Sequence, residues 1–547
     1  MTLSQLRDEK NLEWWRGATI YQIYPRSFMD ANGDGIGDLP GITLRLDYVA
    51  SLGVDAVWLS PFFTSPMKDF GYDVADYRNV DPMFGTLDDF CALVVRAHEL
   101  GLRVIIDQVL SHSSDLHPWF QESRQNRHNA KADWYVWADP RPDGNAPNNW
   151  MAAFGGRSWS FDSRRRQYYL HNFLSSQPDL NFHNPQVQHA QLDNLRFWLE
   201  LGVDGFRFDV VNYYFHDPAL TDNPPAPPDR VSPANPQSYQ GQQYNIEQPE
   251  NLAFLERVRA LLDEYPGATS IGEIAGDNQL ATMAAYTAGD TRLHMAYTFD
   301  LLDSMGDAEQ LYRVLTRFTE LDDDTWPCWS LSNHDVVRSA SRWREPRALL
   351  AVAFLCSLRG SLGLYQGEEL GLPEAELAFE DLQDPFGINL WPEIKGRDGS
   401  RTPMPWNASI NSGFSTSPER PWLPIDPRHP QLAVEAQNAN PHSLLMQVRR
   451  LLHLRAEEEV LRRGEQLLLP PETLPQNVFA LLRTLGERRL LCLVNLGEEQ
   501  EFSLRPAALV NDVKDWQSLP LPEPIAAQRA GDTIRLPPGT AAWLVLV

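Results

Sequence analysis

Acidic and histidine side chains stand at the ends of short apolar runs at four well-separated places in this 547-residue chain. Gly205-Phe206-Arg207-Phe208-Asp209 closes one run, Ile271-Gly272-Glu273 a second and Asn333-His334-Asp335 a third, while Asp107 with His112 follows a fourth. One acid at a strand end is usually a cap or an ion-pair partner. Several aligned ends point further: carboxylates gathered in one cleft suit a metal, another cation or an oxocarbenium-like transition state. The metal-ligand pairs HxH and HExxH are absent, which counts against a metallohydrolase.

The elements that must gather these residues follow from the alternation of apolar runs with amphipathic stretches, the pattern of parallel strands joined by crossover helices. Eight runs, at 19–24, 56–59, 104–106, 203–208, 269–274, 295–299, 329–332 and 362–365, are rich in β-branched and aromatic residues. Helical spacing marks 87–100, 187–201, 252–264 and 347–358. Eight such repeats predict an α/β fold, a (β/α)8 TIM barrel whose chemistry collects on the loops after the strands. The catalytic barrel is expected over 1–110 and 181–460, with an inserted subdomain at 111–180 after the third strand. Two loop insertions follow, a Pro- and Gln-rich one at 213–249 and a lid at 373–429. A last barrel helix is expected at 443–457, and a C-terminal antiparallel β domain over 461–547, with strands at 478–482, 490–494, 533–536 and 540–547.

Composition narrows the function classes. With 47 Lys and Arg against 73 Asp and Glu, the formal charge is −26, which disfavours a nucleic-acid surface. The opening segment has no apolar core of a signal peptide, and no stretch approaches the roughly 18 apolar residues of a membrane span. A cytoplasmic protein without membrane partners is expected. The four cysteines, Cys91, Cys328, Cys356 and Cys492, lie far apart without CxxC spacing, so buried reduced thiols are expected. The aromatic residues, 17 Trp, 17 Tyr and 24 Phe, mostly belong to the core, but near acidic loops they also suit the apolar faces of sugar rings.

A separate signal lies between the first strand and first helix. In the segment Asp30-Ala31-Asn32-Gly33-Asp34-Gly35-Ile36-Gly37-Asp38, alternating oxygen donors and a turn glycine suit a hard cation. It lacks the Glu of an EF-hand's twelfth position, where Gly41 stands. The alternative is a turn held by Asx hydrogen bonds.

Taken together, Asp107 to His112, Gly205 to Asn212, Gly272 to Ile274, Asn333 to Asp335 and Gln177-Pro178-Asp179-Leu180-Asn181 resemble the ordered signature regions of the α-amylase family, glycoside hydrolase family 13. The resemblance is to its branch of oligo-1,6-glucosidases and α-glucosidases and extends from Trp15 into the C-terminal domain. It implies Asp209 as nucleophile, Glu273 as general acid and base, and Asp335 as transition-state stabiliser. The chemistry agrees: a retaining glycosidase needs one carboxylate to attack the anomeric carbon and another to protonate the leaving oxygen and then activate water. Arg207 points to the same strand face as Asp209, and its cation is expected to keep the nucleophile ionised. By the same resemblance His112 and His334 bind sugar hydroxyls, and Tyr72 and Asp73 hold the non-reducing glucose. Arg401 would pair with Asp73 or touch the same sugar, and Phe154, Phe173 and Phe299 would line the pocket. The family resemblance also implies structural Ca2+ or Mg2+ at Asp30, Asn32, Asp34, Ile36 and Asp38. No organic cofactor is implied.

Specificity cues conflict. In this branch Val after the nucleophile, here Val210, accompanies α-1,6 linkages, whereas Asn212 to Asp217 and the Pro-rich loop resemble bacterial α-glucosidases that act on maltose or sucrose and transfer glucose. The longer context carries more weight, because one methyl-for-hydroxyl exchange is worth only a few kcal/mol. The expected activity is therefore a retaining exo-α-glucosidase with α-1,4 preference, using small-molecule α-glucoside donors and hydroxyl acceptors. An oligo-1,6-glucosidase and a sucrose-using transglucosidase stay open. Sucrose isomerases carry an Arg-rich loop where this chain reads Leu321-Asp322-Asp323-Asp324, and amylosucrases carry a helical N-terminal domain that the short stretch before the first strand does not match. A non-catalytic barrel ectodomain is the rival of another class, disfavoured by the retained acids and the lack of an anchor. A homodimer also stays open.

Overall fold

A computed structural model of the protein describes residues 11–321, 324–343 and 347–547. Asp322 and Asp323, in the acidic loop singled out above, lie outside the described residues. Eight strands form the central sheet: β1 (Thr19–Ile23), β2 (Ala56–Leu59), β3 (Arg103–Gln108), β4 (Gly205–Phe208), β5 (Thr269–Ile274), β6 (Met295–Thr298), β7 (Cys328–Ser330) and β8 (Ser361–Tyr365). Nearly every residue in them is buried, as expected of strands covered on both faces. All neighbours are parallel, in the order β6-β5-β4-β3-β2-β1-β8-β7, and a parallel bridge from Ala296 to Pro327 brings the two edges together. The result is the (β/α)8 barrel that the alternating pattern predicted.

Crossover helices cover the barrel: α1 (Leu39–Ser51), α2 (Leu87–Glu99), α3 (Pro185–Glu200), α4 (Asn251–Asp263), α5 (Gln279–Thr287), α6 (Ala308–Thr319), α7 (Ala348–Ser357) and α8 (Leu444–Glu457). Their starts are fixed locally. Thr86 and Asp89 form a reciprocal capping box on α2, and Asn184 caps α3 with Pro185 in its first turn. Every residue of α7 is buried, between the barrel strands and the C-terminal domain, so it shows no polar face.

Register places the chemistry. Asp107 stands opposite Arg207 across β3 and β4, Ile271 opposite Arg207 across β4 and β5, and Glu273 opposite Tyr297 across β5 and β6. Gly272 is required by a close approach: a Cβ there would lie 2.7 Å from Leu293 Cδ1 and 3.0 Å from Val211 Cγ1.

Between β3 and α3 the chain forms a three-stranded sheet of Trp137–Ala138, Gln167–Leu170 and Trp159–Asp162 around buried Trp150 and Trp159. Beyond α8 come β9 (Glu465–Leu468), β10 (Val478–Leu485), β11 (Arg488–Asn495), β12 (Phe502–Leu504), β13 (Trp516–Ser518), β14 (Gln528–Ala530), β15 (Thr533–Leu536) and β16 (Ala541–Leu546). They make two antiparallel sheets, β9-β10-β11-β16-β13 and β12-β15-β14. Buried Arg483 ties this domain to the barrel by donating to the Ser357 carbonyl, and it also donates to the carbonyls of Gly464 and Glu465 at the domain's own start. All four cysteines are free, three of them buried, and no described helix is long and apolar enough to cross a membrane.

Candidate active site

At the C-terminal ends of the strands lies a cavity of about 310 Å³. Asp209, Glu273 and Asp335 all line it, with Tyr72, His112 and Phe299. The three insertions form its outer wall. The first supplies Phe154 and Phe173, the second Asn235, Gln237 and Gln242, and the third Phe386 and Arg397.

Arg207 organises the acids from below. Its Nη1 reaches Asp107 at 2.7 Å and Asp209 at 2.9 Å, and its Nη2 reaches Glu273 at 2.6 Å. The Tyr297 hydroxyl accepts from Arg207 Nη2 at 2.8 Å and donates to Glu273 Oε1 at 2.9 Å. The other Glu273 oxygen accepts the Val210 backbone N–H at 3.1 Å. That donor is aimed by a left-handed backbone, φ 34° and ψ 55°, which a β-branched residue adopts only under strain.

The expected pull of Arg207 on Asp209 is present but outweighed. Burial raises the Asp209 carboxyl well above its ordinary range, the charges of Glu273 and Asp107 add to this, and Arg207 opposes it. Burial likewise raises Asp107, to about 6, against the same guanidinium. Three carboxylates facing one cation favour retention of a proton within the cluster. Asp335 behaves oppositely. Burial disfavours its charge, yet His334, Arg397 and Arg401 outweigh burial and hold it below the usual carboxylate range. Arg397 and Arg401 contact its Oδ1 at 3.2 and 3.1 Å.

His334 stands behind the wall, fully buried. Gln22 Nε2 donates to its Nδ1 at 2.8 Å, so the network assigns the proton to Nε2, which faces the Tyr72 hydroxyl at 2.6 Å and Asp335 Oδ2 at 3.2 Å. The Tyr72 ring stacks on His334 with an interplanar angle of 4°. His112 reaches the cavity, and its Nε2 donates to the Tyr72 carbonyl at 3.0 Å. Burial lowers its pKa to about 4, so it is neutral at pH 7.

The expected sugar contacts of Asp73, Arg401 and His334 are corrected, since none of the three lines the cavity. Asp73 does not reach the cavity: it is fully buried and accepts from Ser65 Oγ and from the backbone N–H groups of Lys68 and Asp69. Asp69 takes the cavity position instead, paired with Arg397 at 2.8 Å. The cause is the turn between them, where Phe70 and Gly71 have φ of 50° and 107°. Arg401 does not pair with Asp73 but donates to Asp335 and to the His334 carbonyl, and it is fully buried. Arg397, one short turn earlier, lines the cavity and joins Asp69, Asp335 and Asp384. Arg207 is also fully buried and touches the acids rather than the cavity. Asp69, Arg397, Tyr213 and Phe386 escaped the sequence reading, although Arg397 opens the very segment in which Arg401 was singled out.

In the loop after β1, Asp30 accepts from the N–H groups of Gly33 and Gly35, Asn32 from that of Asp34, and Asp34 from that of Ile36. Asp38 caps α1 through Gly41 N and accepts from Ala31 and Asn32. Among the described residues no three His, Cys, Asp or Glu side chains converge as a metal held by such groups alone would need. The loop's donor set is oxygen only and includes Asn32 and the Ile36 carbonyl, and the oxygens of Asp30 and Asp34 each accept one bond and keep a second lone pair, which fits a hard cation.

Residues 22–464 match the family model for the α-amylase catalytic domain. The chain is 53% identical over 506 residues to a probable α-glucosidase of Rhizobium meliloti (strain 1021), covering 90% of this chain and 91% of that protein. It is 37% identical over 527 residues to an oligo-1,6-glucosidase of Heyndrickxia coagulans, covering 89% and 92%. Among solved structures it superposes on the α-glucosyl transfer enzyme XgtA with a TM-score of 0.93 and 52% identity, covering 98% of this chain and 99% of that one. A model match across most of the chain, with relatives this similar over nine-tenths of it, places this enzyme in the α-amylase family, glycoside hydrolase family 13.

Proposed function

We propose that the protein is a retaining exo-α-glucosidase that cleaves terminal α-glucosyl residues from short oligosaccharides, with α-1,4 preference, and transfers glucose to acceptor hydroxyls. The observation that carries this reading is the seating of Asp209 and Glu273 on one guanidinium, a close arrangement that suits double displacement. In the first half, Asp209 attacks the anomeric carbon while Glu273 gives its proton to the leaving oxygen. In the second, water or an acceptor hydroxyl gives its proton to Glu273, its oxygen attacks the same carbon and Asp209 leaves. Asp335, held ionised by two arginines, orients hydroxyls and faces the developing positive charge.

A cavity of this size, lined by Tyr72, Asp69 and Arg397, suits one terminal glucose, which supports exo action. Val210 in its wall is the specific feature favouring the α-1,6 alternative. Proton NMR of equimolar maltose, isomaltose and sucrose with the enzyme decides between them. Maltose consumed first is the expected result, and isomaltose consumed first overturns the α-1,4 preference. In the same reading, Asp30, Asn32, Asp34, Asp38 and the Ile36 carbonyl hold structural Ca2+ or Mg2+, which stiffens the turn into α1 and takes no part in the chemistry.

A further inference from the structure

Two insertions from different barrel strands meet over the cavity, and a buried file of amides joins them. Asp179 Oδ2 accepts from Asn172 Nδ2 at 2.5 Å and from the Asn172 N–H at 3.2 Å. Asn172 Oδ1 accepts from Asn245 Nδ2 at 3.3 Å, and Asn245 Oδ1 accepts from Asn223 Nδ2 at 2.8 Å. Asn223 Oδ1 in turn accepts the N–H groups of Gln243 and Tyr244 at 3.2 and 2.9 Å. All four side chains are buried, with relative exposures of 5, 2, 1 and 6% from Asp179 to Asn223 in file order. Asn149 and Asn223 add a reciprocal pair of bonds, Asn223 N to Asn149 Oδ1 at 2.8 Å and Asn149 Nδ2 to the Asn223 carbonyl at 2.9 Å.

Burying so many amides is costly unless their bonds are made, and a connected network rigidifies the parts it joins. What this one joins is two parts of the cavity wall. Phe173, next to Asn172, stacks on Tyr213 with centroids 5.6 Å apart. Asn235, Gln237 and Gln242, between Asn223 and Asn245 in sequence, also line the cavity. Gln242 Nε2 donates to the Tyr213 hydroxyl at 3.3 Å, while Gln237 Nε2 is buried without a partner. It is a donor left for a hydroxyl that the cavity would hold.

We propose that the Asn172–Asn245–Asn223 file is a positioning device for the acceptor: it clamps the second insertion onto the first, holds Gln237 and Gln242 beside the reacting centre, and so sets how the glucosyl-enzyme divides between water and a sugar hydroxyl. This rests on the transfer reading above. None of Asn172, Asn245 and Asn223 lines the cavity, so loss of the file acts on acceptor binding more than on formation of the glucosyl-enzyme.

The test uses the full-length enzyme with p-nitrophenyl α-glucoside as donor and methyl β-glucoside, whose β linkage the enzyme does not cleave, as added acceptor. Released phenol counts every turnover and released glucose counts hydrolysis. Asn245→Ala is expected to lower the transfer-to-hydrolysis ratio at least fivefold and to raise the half-saturating acceptor concentration, with phenol release at zero acceptor falling less than threefold. Gln237→Ala, which leaves the file intact, is expected to lower the ratio without lowering the melting temperature, and it carries the test if Asn245→Ala fails to fold. The Asn223→Ala, Asn245→Ala double variant should transfer no worse than either single one, because the file fails as a unit. Unchanged ratios in Asn245→Ala and Gln237→Ala, with transfer intact in the wild type, overturn the inference alone. A wild type that makes no transfer product overturns the transfer reading and the inference with it.

Discussion

Arg207 serves three carboxylates at once, and the consequences are measurable one residue at a time. Because the charge of Asp107 helps to raise Asp209, Asp107→Asn should let Asp209 ionise at lower pH. The acidic limb of kcat/KM is expected to move down by about one pH unit, read from a pH profile on an aryl glucoside. A limb that moves up would mean that Asp107 acts mainly by holding Arg207 in place. Glu273→Gln removes the proton donor while keeping one oxygen that can still accept from either Val210 N or Tyr297. Protonation matters most for poor leaving groups, so turnover of maltose should fall by about 10²-fold or more beyond the loss on an activated aryl glucoside. Equal losses on both would remove Glu273 from the acid role.

At the scale of elements, two joints outside the chemistry carry their own predictions. The 30–38 loop is wound by Asx turns into the cap of α1, and a cation bound there would stabilise the native state by mass action, about 2.7 kcal/mol at a hundredfold excess over Kd. Adding Ca2+ or Mg2+ to chelator-treated protein should raise the melting temperature, and Asp34→Ala should cancel the rise. No shift and no heat on calorimetric titration would leave the loop as a plain Asx turn. The joint between barrel and β domain includes Arg483, which donates to the Ser357 carbonyl of the barrel and to the carbonyls of Gly464 and Glu465. Arg483→Met removes three charge-assisted bonds from a buried site, so thermal unfolding should begin several degrees earlier. An unchanged melting curve would show that water replaces the guanidinium.

For the whole molecule, the barrel was legible because parallel buried strands read as continuous apolar runs, and all eight fell within a few residues of their expected places. The β domain was legible in its long strands, whereas β9 (Glu465–Leu468), half-exposed and polar at its start, gave no such run. The three acids were legible because strand ends fix where a side chain emerges. Loop residues were not: whether Asp69 or Asp73 faces the cavity depends on two left-handed residues between them, and whether Arg397 or Arg401 does depends on the short helical turn of Asp398–Ser400. Neither follows from spacing. The amide file was hidden for a related reason, since its members come from segments without periodicity and meet only when both insertions fold over the barrel.

The central claim is double displacement through Asp209, and the anomer of the first glucose released tests it most directly. Proton NMR of p-nitrophenyl α-glucoside mixed with the enzyme, recorded before mutarotation equilibrates the product, should show α-glucose first, with Asp209→Asn folded and inactive. β-Glucose appearing first, or turnover persisting in Asp209→Asn, would contradict the account.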